Sequence, residues 1–468
     1  MAKGSEVRAR AKSLPEPAPT APRAERAAAG RARRAVCARE KLGEFSKSAR
    51  DPITIIEISN AHRLPELIPI RYGRMAHSPF TFYRGAAALM AHDIAACPSP
   101  GICAQICGDA HLGNFGGFAS PERALLFGLN DFDETTPGAF EWDLKRLAAS
   151  FHIAAREQSL SESEAKRIVL HMAATYRERM QECAEMGALE LWYAHIDLET
   201  LISMAHSADT RQQRIEMTER ALHRTSDRAY PKLVDVVDGR PRIHDNPPLV
   251  YHAFPIADFY RDVLHFWQNY VASMPEERRL LLARYELVDV AIKVVGVGSV
   301  GTRCAIALLL GGGVEPLFLQ FKEADRSVYE PWAGRSVYPN AGQRVVVGQR
   351  IMQAASDIFL GWAHAPHIGA DFYVRQLRDM KISLVCEHMS FDEMFEYANA
   401  CGWALARAHA KGSDPAAIAG YLGRGDRFPR AMAVFARQYA DQNEKDHQAL
   451  LAAIKSGRVQ ADRNERGV

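Results

Sequence analysis

The sequence lacks several features that mark whole classes of protein. It has no internal repeat and no CxxC pair, and none of its apolar runs reaches the roughly 18 residues that a membrane helix needs. Its charges nearly cancel, with 58 Lys and Arg against 56 Asp and Glu. We therefore exclude a zinc ribbon, a thioredoxin-type redox site and a membrane span, and we expect neither membrane association nor specific nucleic-acid binding.

What the chain does have is enough apolar material for a substantial core. Hydrophobic residues make up 47% of its 468 residues and charged residues 24%, which is ordinary for a soluble globular protein. At roughly 100–200 residues per domain, this length allows two to four domains or lobes. The eight cysteines are interpreted as buried free thiols, which suits a reducing cytoplasm. We therefore expect a cytoplasmic protein, while its oligomeric state stays open.

The N-terminal segment has a composition of its own. Residues 1–40 hold ten Lys and Arg against four Asp and Glu, and they are rich in Ala and Pro. They contain no apolar central stretch like that of a secretory signal peptide. We expect a disordered, solvated basic tail over 1–45, with a nucleic-acid-binding arm as the alternative.

The rest of the chain is predicted to be an α+β protein in three parts. Residues 46–290 are expected to form a large helical lobe, and 291–390 a small β-rich lobe with glycines at its chain reversals. Within that second lobe we expect a helix over 341–359 and a strand over 371–381. Residues 391–468 are predicted to return to the helical lobe as helices, followed by a polar tail.

The first chemical motif is CGDAHLGNFGG at 107–117. Asp109 and Asn114 stand five positions apart in one tight loop, with His111 between them. A carboxylate that accepts a hydroxyl proton and a carboxamide that binds Mg²⁺ suit phosphoryl transfer. The alternative is an ordinary turn, because Asp, Asn, His and Gly are common turn residues.

The second motif is an acidic turn that follows an apolar strand. Asp131, Asp133 and Glu134 lie within four positions, so their charges repel unless a cation sits between them or all three face water. A hard divalent ion with oxygen ligands resolves the repulsion. We keep both interpretations open, a metal-binding turn and a solvated acidic turn.

The third motif is VVGVGSVGTR at 294–303, with glycines in the spacing G-x-G-x-x-G. A dinucleotide-binding site needs a helix directly after these glycines. The following TRCAIALLLGGG favours the second strand of a hairpin instead, and a glycine hairpin over phosphates is the kinase arrangement. The expected nucleotide-binding positions in this hairpin are Gly296, Gly298, Ser299 and Gly301.

Lys322 lies in the apolar stretch PLFLQFKEA, after the glycine hairpin. A lysine inside an apolar strand is costly unless it meets an anion, and a nucleotide phosphate would serve. The alternative is an edge-strand lysine that points into water.

Together these motifs supply the parts of a kinase in the wrong order. The glycine hairpin and its lysine come first in kinases, whereas here they follow the Asp109 loop and the acidic turn. The kinase order is restored when the chain is read from residue 291 to its C-terminal region and then from residue 101. We therefore predict a circular permutation of a two-lobe, protein-kinase-like fold.

Two family resemblances follow from these motifs. Over roughly residues 50–440 the chain resembles the uncharacterised bacterial family known as domain of unknown function 2252, which implies no established activity. This resemblance rests on SPFTFYRG, GDAHLGNFGG, NDFDET, FEWDLKRLA, KVVGVGSVGTR, FLQFKEA and GQRIMQAASDIFLGW. The motif GDAHLGN also resembles the catalytic loop HGDxHxxN of the aminoglycoside- and choline-type phosphotransferases, which have a protein-kinase-like fold.

The second resemblance implies a role for each matching residue. Asp109 would be the catalytic base, His111 a second catalytic residue of the same loop, and Asn114 a metal ligand. Asp131 would hold Mg²⁺ with help from Asp133, and Asp143 would brace the catalytic loop. This sequence departs from the pattern at Cys107, where the family has His. It departs again in the helix 341–359, which offers Lys322 no Glu partner, so Gln349, Gln353 or Glu330 would have to substitute.

The leading hypothesis is an ATP- and Mg²⁺-dependent phosphotransferase that acts on a hydroxyl of an unknown, small-molecule substrate. Arg71, Arg74 and Arg84 would add charge stabilisation or bind an anionic substrate. Nucleotidyl transfer is an alternative: the same site residues would bind ATP in the opposite orientation and transfer AMP. A non-catalytic nucleotide-binding pseudokinase and a dinucleotide-binding oxidoreductase complete the set of hypotheses.

Overall fold

A computed structural model gives the structure of this protein. It describes residues 19–45, 49–204, 208–223, 225–247, 249–252, 256–294, 298, 300–377, 380–383 and 388–462. The predicted α+β class is confirmed. The α-helices are α1 (Arg23–Ala32), α2 (Pro52–Ser59), α3 (Ile68–Met75), α4 (Pro79–Gly85), α5 (Ala87–Ala95), α6 (Phe140–Glu157), α7 (Glu162–Glu185), α8 (Ala188–Tyr193), α9 (Leu198–Ser203), α10 (Ala208–Leu222), α11 (Ser226–Leu233), α12 (Ile256–Ala272), α13 (Glu276–Leu282), α14 (Glu330–Ala333), α15 (Ala341–Met352), α16 (Phe391–Lys411), α17 (Pro415–Leu422) and α18 (Arg427–Lys455).

The strands form one large antiparallel sheet and several small ones. The large sheet has the order β11-β12-β10-β9-β8-β7, β2 and β3 form a hairpin that β13 extends, and β1 pairs with β4. The strands are β1 (Cys103–Ile106), β2 (Phe115–Ala119), β3 (Leu125–Leu129), β4 (Thr136–Ala139), β5 (Val234–Val237), β6 (Arg240–Ile243), β7 (Val250–Tyr251), β8 (Tyr285–Lys293), β9 (Cys304–Gly311), β10 (Glu315–Ala324), β11 (Gly361–Ala365), β12 (Ala370–Gln376) and β13 (Ile382–Ser383).

The central strand β10 has apolar side chains on both faces for most of its length, as a strand covered on both sides requires. Leu319 and Phe321 point toward helix α12, where they join a core that contains Phe266 and Tyr270. Phe318 points to the opposite face and joins a second cluster. Lys322 lies on the same face as Phe318, because side chains alternate along a strand. The face of the sheet opposite α12 is therefore apolar at Phe318 and charged at Lys322, near the end of β10.

The helices pack around a separate, larger core, in which α6, α7, α16 and α18 are the long members. Helix α16 begins with a capping box, in which the Ser390 hydroxyl accepts from the Glu393 N–H and the Glu393 carboxylate accepts from the Ser390 N–H. Gly402 allows α16 to touch α7, because a Cβ there would lie 2.5 Å from the Met172 carbonyl oxygen. Helix α16 thus forms the first part of the segment 391–468, where helices are predicted.

The expectation of a disordered tail over 1–45 is wrong for residues 19–45, while 1–18 lie outside the described residues. Helix α1 packs against α17 at two glycines, since a Cβ at Gly30 would lie 1.9 Å from the Ala417 carbonyl oxygen and one at Gly420 would lie 2.1 Å from that of Ala27. Arg26 also pairs with Asp414 at 2.5 Å. The alanines and glycines permit close helix packing here, which outweighs the low apolar content of the segment.

Several predicted boundaries also differ from the structure. The predicted lobe boundary at residue 291 falls inside strand β8, so the β-rich part begins earlier. The helix predicted over 341–359 ends at Met352, and the strand predicted over 371–381 runs from Ala370 to Gln376. After Gly301 the chain forms strand β9, with no helix. The dinucleotide-binding hypothesis loses the helix that it requires.

No helix in the described part of the chain is both long enough and apolar enough to cross a membrane. Among the same residues, the cysteines at 37, 97, 103, 107, 183, 304 and 401 are all free thiols, and all but Cys103 are buried.

We expect Gly420→Ala to destabilise the protein, because the new methyl group would collide with the Ala27 backbone. The unfolding free energy should fall by about 1–3 kcal/mol, measured by chemical denaturation, and α1 should become more sensitive to limited proteolysis. Gly425→Ala is the matched control, since a Cβ there meets nothing within 4 Å. Equal effects of the two substitutions would contradict the proposed packing of α1.

Candidate active site

The loop that carries Asp109 is held by a carboxylate beneath its backbone. The Asp143 carboxylate, at the start of α6, accepts hydrogen bonds from the N–H groups of Cys107 (2.8 Å) and Gly108 (2.9 Å). Gly108 has φ +82°, and a Cβ there would lie 2.4 Å from the Glu134 carbonyl oxygen. The loop therefore needs glycine at that position, and Asp143 lies where the resemblance implied a brace.

A buried histidine and tyrosine complete this support. His409 Nε2, from α16, lies 3.1 Å from Asp143 Oδ2, and Tyr176 bonds the other ring nitrogen of His409 at 2.9 Å. Burial raises the pKa of the Cys107 thiol well above its ordinary value, so this residue acts as a neutral packing group. The support that a histidine at position 107 was expected to give comes here from Asp143 and His409.

Asp109 is largely buried and paired with an arginine that sequence reasoning missed. Arg146 approaches Asp109 Oδ1 with Nε at 2.8 Å and with a terminal nitrogen at 2.7 Å. Burial raises the pKa of Asp109 despite this pair, and the negative charge of Asp131 adds to the rise. Asn114 donates to the Asp109 backbone oxygen at 2.8 Å, and His111 Nε2 lies 3.8 Å from Asp109 Oδ2.

Arg146 lies on the same face of α6 as Asp143, because residues three apart are neighbours on a helix. One helix thus braces the loop backbone with Asp143 and pairs the loop carboxylate with Arg146. The only signal in the sequence is the spacing Asp-Leu-Lys-Arg at 143–146. Since it lies inside an apolar helical pattern, nothing in the sequence distinguishes Arg146 from an arginine on the helix surface.

The acidic turn meets the lysine of strand β10. Lys322 Nζ lies 3.8 Å from Asp131 Oδ1 and forms a closer ion pair with the Asp133 carboxylate. Tyr373 donates a hydrogen bond to Asp133 Oδ1 at 2.7 Å. Burial alone would lower the pKa of Lys322, but Asp131 and Asp133 outweigh it and raise that pKa well above its ordinary value. Lys322 is only 3% exposed, so it is not an edge-strand lysine pointing into water.

The expectation that Gln349, Gln353 or Glu330 would pair with Lys322 is wrong. Gln349 donates to Gln353 at 2.9 Å, and Gln353 donates to the Leu129 carbonyl oxygen at 2.8 Å. No hydrogen bond or ion pair joins Lys322 to Glu330 among the described residues. The two aspartates of the turn already supply the negative charge, and a helix Glu is not required.

Helix α15 contacts the acidic turn through an arginine instead. Arg344 is 2% exposed, and its guanidinium donates to the carbonyl oxygens of Thr135 (2.5 Å), Asp133 (2.7 Å) and Asp325 (2.7 Å). These bonds tie the backbone of the turn both to α15 and to the chain that leaves β10. The turn is therefore fixed from two elements beside its own strand.

Glu134, the third acid of the turn, faces away from this ion pair into protein. Its carboxylate accepts from the Val328 N–H at 2.7 Å. Burial raises its pKa from an ordinary 4.5 to about 7. The interpretation of a fully solvated acidic turn therefore does not hold for Glu134, nor for Asp133 with its buried lysine partner.

The glycine turn between β8 and β9 is only partly described, and Gly296 and Ser299 lie outside the described residues. Arg63 donates to the carbonyl oxygens of Gly298 (2.9 Å) and Val300, while the Leu64 N–H donates to Gly301 at 2.8 Å. Gly301 has φ +91°, which favours glycine. Residues 63–64 therefore hold the turn from the N-terminal part of the chain.

The three arginines near SPFTFYRG have different environments. Arg71 and Arg74 are buried, and Arg71 bonds Asn60 and the Gly85 carbonyl oxygen. Arg84 is half-buried, and its Nε has no hydrogen-bond partner among the described residues. Its charge acts on Asp109 and, after the effect of burial, helps to lower the pKa of His111. Of the three, Arg84 is the one that faces the Asp109 loop.

Oxygen donors of the kind that a hard divalent cation takes lie on two neighbouring segments here. The Asn130 N–H donates to the Asn114 carbonyl oxygen at 2.9 Å, which places the Asp109 loop beside the acidic turn. The Asn114 amide nitrogen is used by the Asp109 backbone, so its oxygen is left for a cation. In the described part of the chain no three His, Cys, Asp or Glu side chains converge as ligands. A carboxylate, a carboxamide and phosphate oxygens are a fitting set for Mg²⁺.

The chain belongs to the bacterial family described as "uncharacterized protein conserved in bacteria (DUF2252)", whose model matches residues 63–453. This confirms the first of the two resemblances. No curated protein matches the chain, and no solved structure matches it. Since the family description carries no activity, function has to be argued from the site itself.

We expect Asp143→Ala to lower the unfolding free energy by about 3–5 kcal/mol, because two backbone N–H groups and His409 would lose a buried acceptor. Chemical denaturation measures the change. Asp441→Asn serves as the control, since this carboxylate pairs with Arg156 at the surface and its loss should cost less than about 1 kcal/mol. A similar small effect for both variants would show that the loop is supported elsewhere.

Glu134 should make stability depend on pH. The folded-state pKa of Glu134 lies above the ordinary 4.5. Its stabilising contribution to the free energy of unfolding is therefore complete below pH 4.5 and is lost as the pH rises through about 7. The shift corresponds to about 3 kcal/mol. Between these pH values, wild-type protein should lose about that much unfolding free energy relative to Glu134→Gln.

Denaturation curves across this pH range test the Glu134 prediction. Glu66→Gln, at an exposed position, should follow the wild-type curve throughout. A constant difference between wild type and Glu134→Gln at every pH would refute the raised pKa.

Proposed function

We propose that this member of the DUF2252 family is a kinase-like phosphotransferase that uses ATP and Mg²⁺ to phosphorylate a hydroxyl group of a small molecule. One observation carries the proposal: Lys322 of the large sheet meets Asp131, in a turn whose backbone adjoins the Asp109 loop. A phosphate-binding lysine, a metal-binding Asp and a proton-accepting Asp are the parts that phosphoryl transfer needs in one place.

We also propose a kinase-like two-lobe architecture with a permuted chain order. In kinases a glycine-rich loop precedes a lysine on the third strand. Here β8, the glycine turn, β9 and β10 follow one another as consecutive antiparallel neighbours, and Lys322 lies on the third of these strands. Helix α15, strands β11 and β12 and helix α16 come next, whereas the Asp109 loop and the acidic turn precede them. The permutation accounts for this order.

The reaction follows from the positions of these groups. Asp109 would accept the proton of the substrate hydroxyl as its oxygen bonds to the γ-phosphorus and the bond to the β,γ-bridging oxygen breaks, which releases ADP. Arg146 would hold the Asp109 carboxylate in place. Asn114 and Asp131 would hold Mg²⁺, which neutralises phosphate charge when bound.

Further positive charge would come from two sides of the site. Lys322 would contact the phosphates from the sheet. Arg84 would contact the transferred group from the side of the Asp109 loop, since its Nε has no partner among the described residues. Gly298 and Gly301 would cover the phosphates, and Gly296 and Ser299 stay part of this proposal.

Nucleotidyl transfer is the second candidate, because a cavity beside Lys322 contains further cations, among them Arg375 and Lys381, which could bind the phosphates of ATP in the opposite orientation. Cys107 and the missing helix Glu would favour the pseudokinase alternative. Asp143, with His409, and the pair of aspartates at Lys322 perform both support roles, which favours an enzyme.

We expect Asp109→Asn to lower kcat by about 10²–10⁴-fold, as the loss of a general base does, while the Kd for ATP–Mg²⁺ stays near the wild-type value. Turnover is followed by mass spectrometry of a metabolite extract incubated with ATP, which separates a phosphate gain from an AMP gain. Calorimetry gives the Kd.

Asp426→Asn, at an exposed position that pairs with Arg430, is the control for the Asp109 experiment and should retain full turnover. Full activity of Asp109→Asn would remove Asp109 from the mechanism. A wild-type protein that binds no ATP–Mg²⁺ would refute the phosphotransferase proposal as a whole.

A further inference from the structure

A second group of cations lies next to Lys322, on the same face of the large sheet. In the antiparallel pair β10–β12, Lys322 lies opposite Tyr373 and Gln320 lies opposite Arg375. Residues two apart on a strand, and residues directly opposite on its neighbour, point to the same face. Since Lys322 and Tyr373 both contact Asp133, this face looks toward the acidic turn.

A cavity of about 180 Å³ opens beside these residues. Its lining combines cationic side chains with uncharged amides, and Asp357 is the only acid in it. The cationic members are Arg123, Arg375 and Lys381, and the amide members include Asn130, Gln320 and Gln353. Such a lining carries a net positive charge, which suits phosphate oxygens.

Arg375 has N–H groups that donate to no protein acceptor among the described residues. Its Nε donates to Gln320 Oε1 at 3.0 Å, and its guanidinium lies 6.0 Å from the Tyr373 ring centre. It forms no other hydrogen bond and no ion pair among the described residues. The terminal nitrogens of Arg375 are therefore left for a ligand in the cavity.

The cations of this face also repel one another. Burial, and after it the charge of Arg375, lowers the pKa of Lys381, and Lys322 adds to this effect. Asp131 and Asp133, after Tyr373, act in the opposite direction on the pKa of Arg375. An anion that binds between Arg375 and Lys381 would reduce the repulsion between them.

We infer that the cavity lined by Arg123, Arg375 and Lys381 is an anion site that binds a phosphate group of one of the two substrates. The inference rests on the proposed function and deepens it. The phosphate would belong either to the tail of ATP, in the orientation needed for nucleotidyl transfer, or to a phosphorylated acceptor. Both sources share the same recognition chemistry.

Inorganic tripolyphosphate is the probe, and calorimetry on the full chain in about 0.1 M salt is the measurement. Wild-type protein should bind it, and Arg375→Gln should weaken binding about tenfold or more. Arg123→Gly should weaken it as well. The Arg123→Gly variant should fold normally, because Arg123 has φ +68°, a conformation that glycine adopts freely. Weaker binding by this variant therefore could not be explained by misfolding.

The matched control is Arg326→Gln, at an exposed arginine that lines a different cavity. It should bind tripolyphosphate like the wild type. The inference is overturned when wild-type protein does not bind the probe, or when Arg375→Gln and Arg123→Gly bind it as tightly as Arg326→Gln.

A competition experiment with a non-hydrolysable ATP analogue identifies the source of the phosphate. Mutual exclusion of the analogue and tripolyphosphate assigns the cavity to the ATP tail, whereas simultaneous binding assigns it to the acceptor. Binding of tripolyphosphate by a protein that does not bind the analogue would refute the phosphotransferase proposal and leave the anion site standing. The two failures are thus distinguishable.

Discussion

The site depends on one ion pair, between Lys322 and the aspartates of the acidic turn. The lysine is almost completely buried, and its ammonium would be strongly destabilised there without Asp133 and Asp131. The carboxylates in turn need the lysine, because they lie close together and are partly removed from water. This mutual need joins the large sheet to the acidic turn, whose backbone adjoins the Asp109 loop.

A second constraint acts through helix α6, which holds the Asp109 loop at three points within its first three turns. Asp143 holds the loop backbone, Arg146 pairs with Asp109, and Ser150 accepts a hydrogen bond from the Leu112 N–H at 3.0 Å. Since these residues lie on one face of a rigid helix, the loop cannot shift relative to α6 without breaking several buried hydrogen bonds together. Buried networks of this kind fix a single arrangement when every member is satisfied.

The sequence allowed the prediction of those site residues that lie in short polar motifs within apolar surroundings. Lys322 stands out in this way, because a charge inside an apolar stretch has few explanations, and Asp131 stands out in a crowded acidic turn. The role of Asp143 as a brace was implied by the family resemblance alone. Arg146, His409 and Arg344 were missed, since each lies in a regular helix where the sequence pattern does not tell which charged residue turns inward. The folded structure of residues 19–45 was not predicted, for a related reason. The segment contains few apolar residues, which suggested disorder, whereas the packing of α1 depends on glycines that allow a neighbouring backbone to come close.

The two aspartates at Lys322 differ in a way that bears on their roles. Asp133 is held by Lys322 and by the Tyr373 hydroxyl, which are both buried groups of the sheet. Asp131 lies farther from the lysine, at 3.8 Å, and its side chain is 32% exposed. A cation that competes with Lys322 would therefore take Asp131 at lower cost, because Asp133 would keep the ammonium compensated. On this argument Asp133 maintains the lysine, and Asp131 would be the carboxylate available to the proposed Mg²⁺.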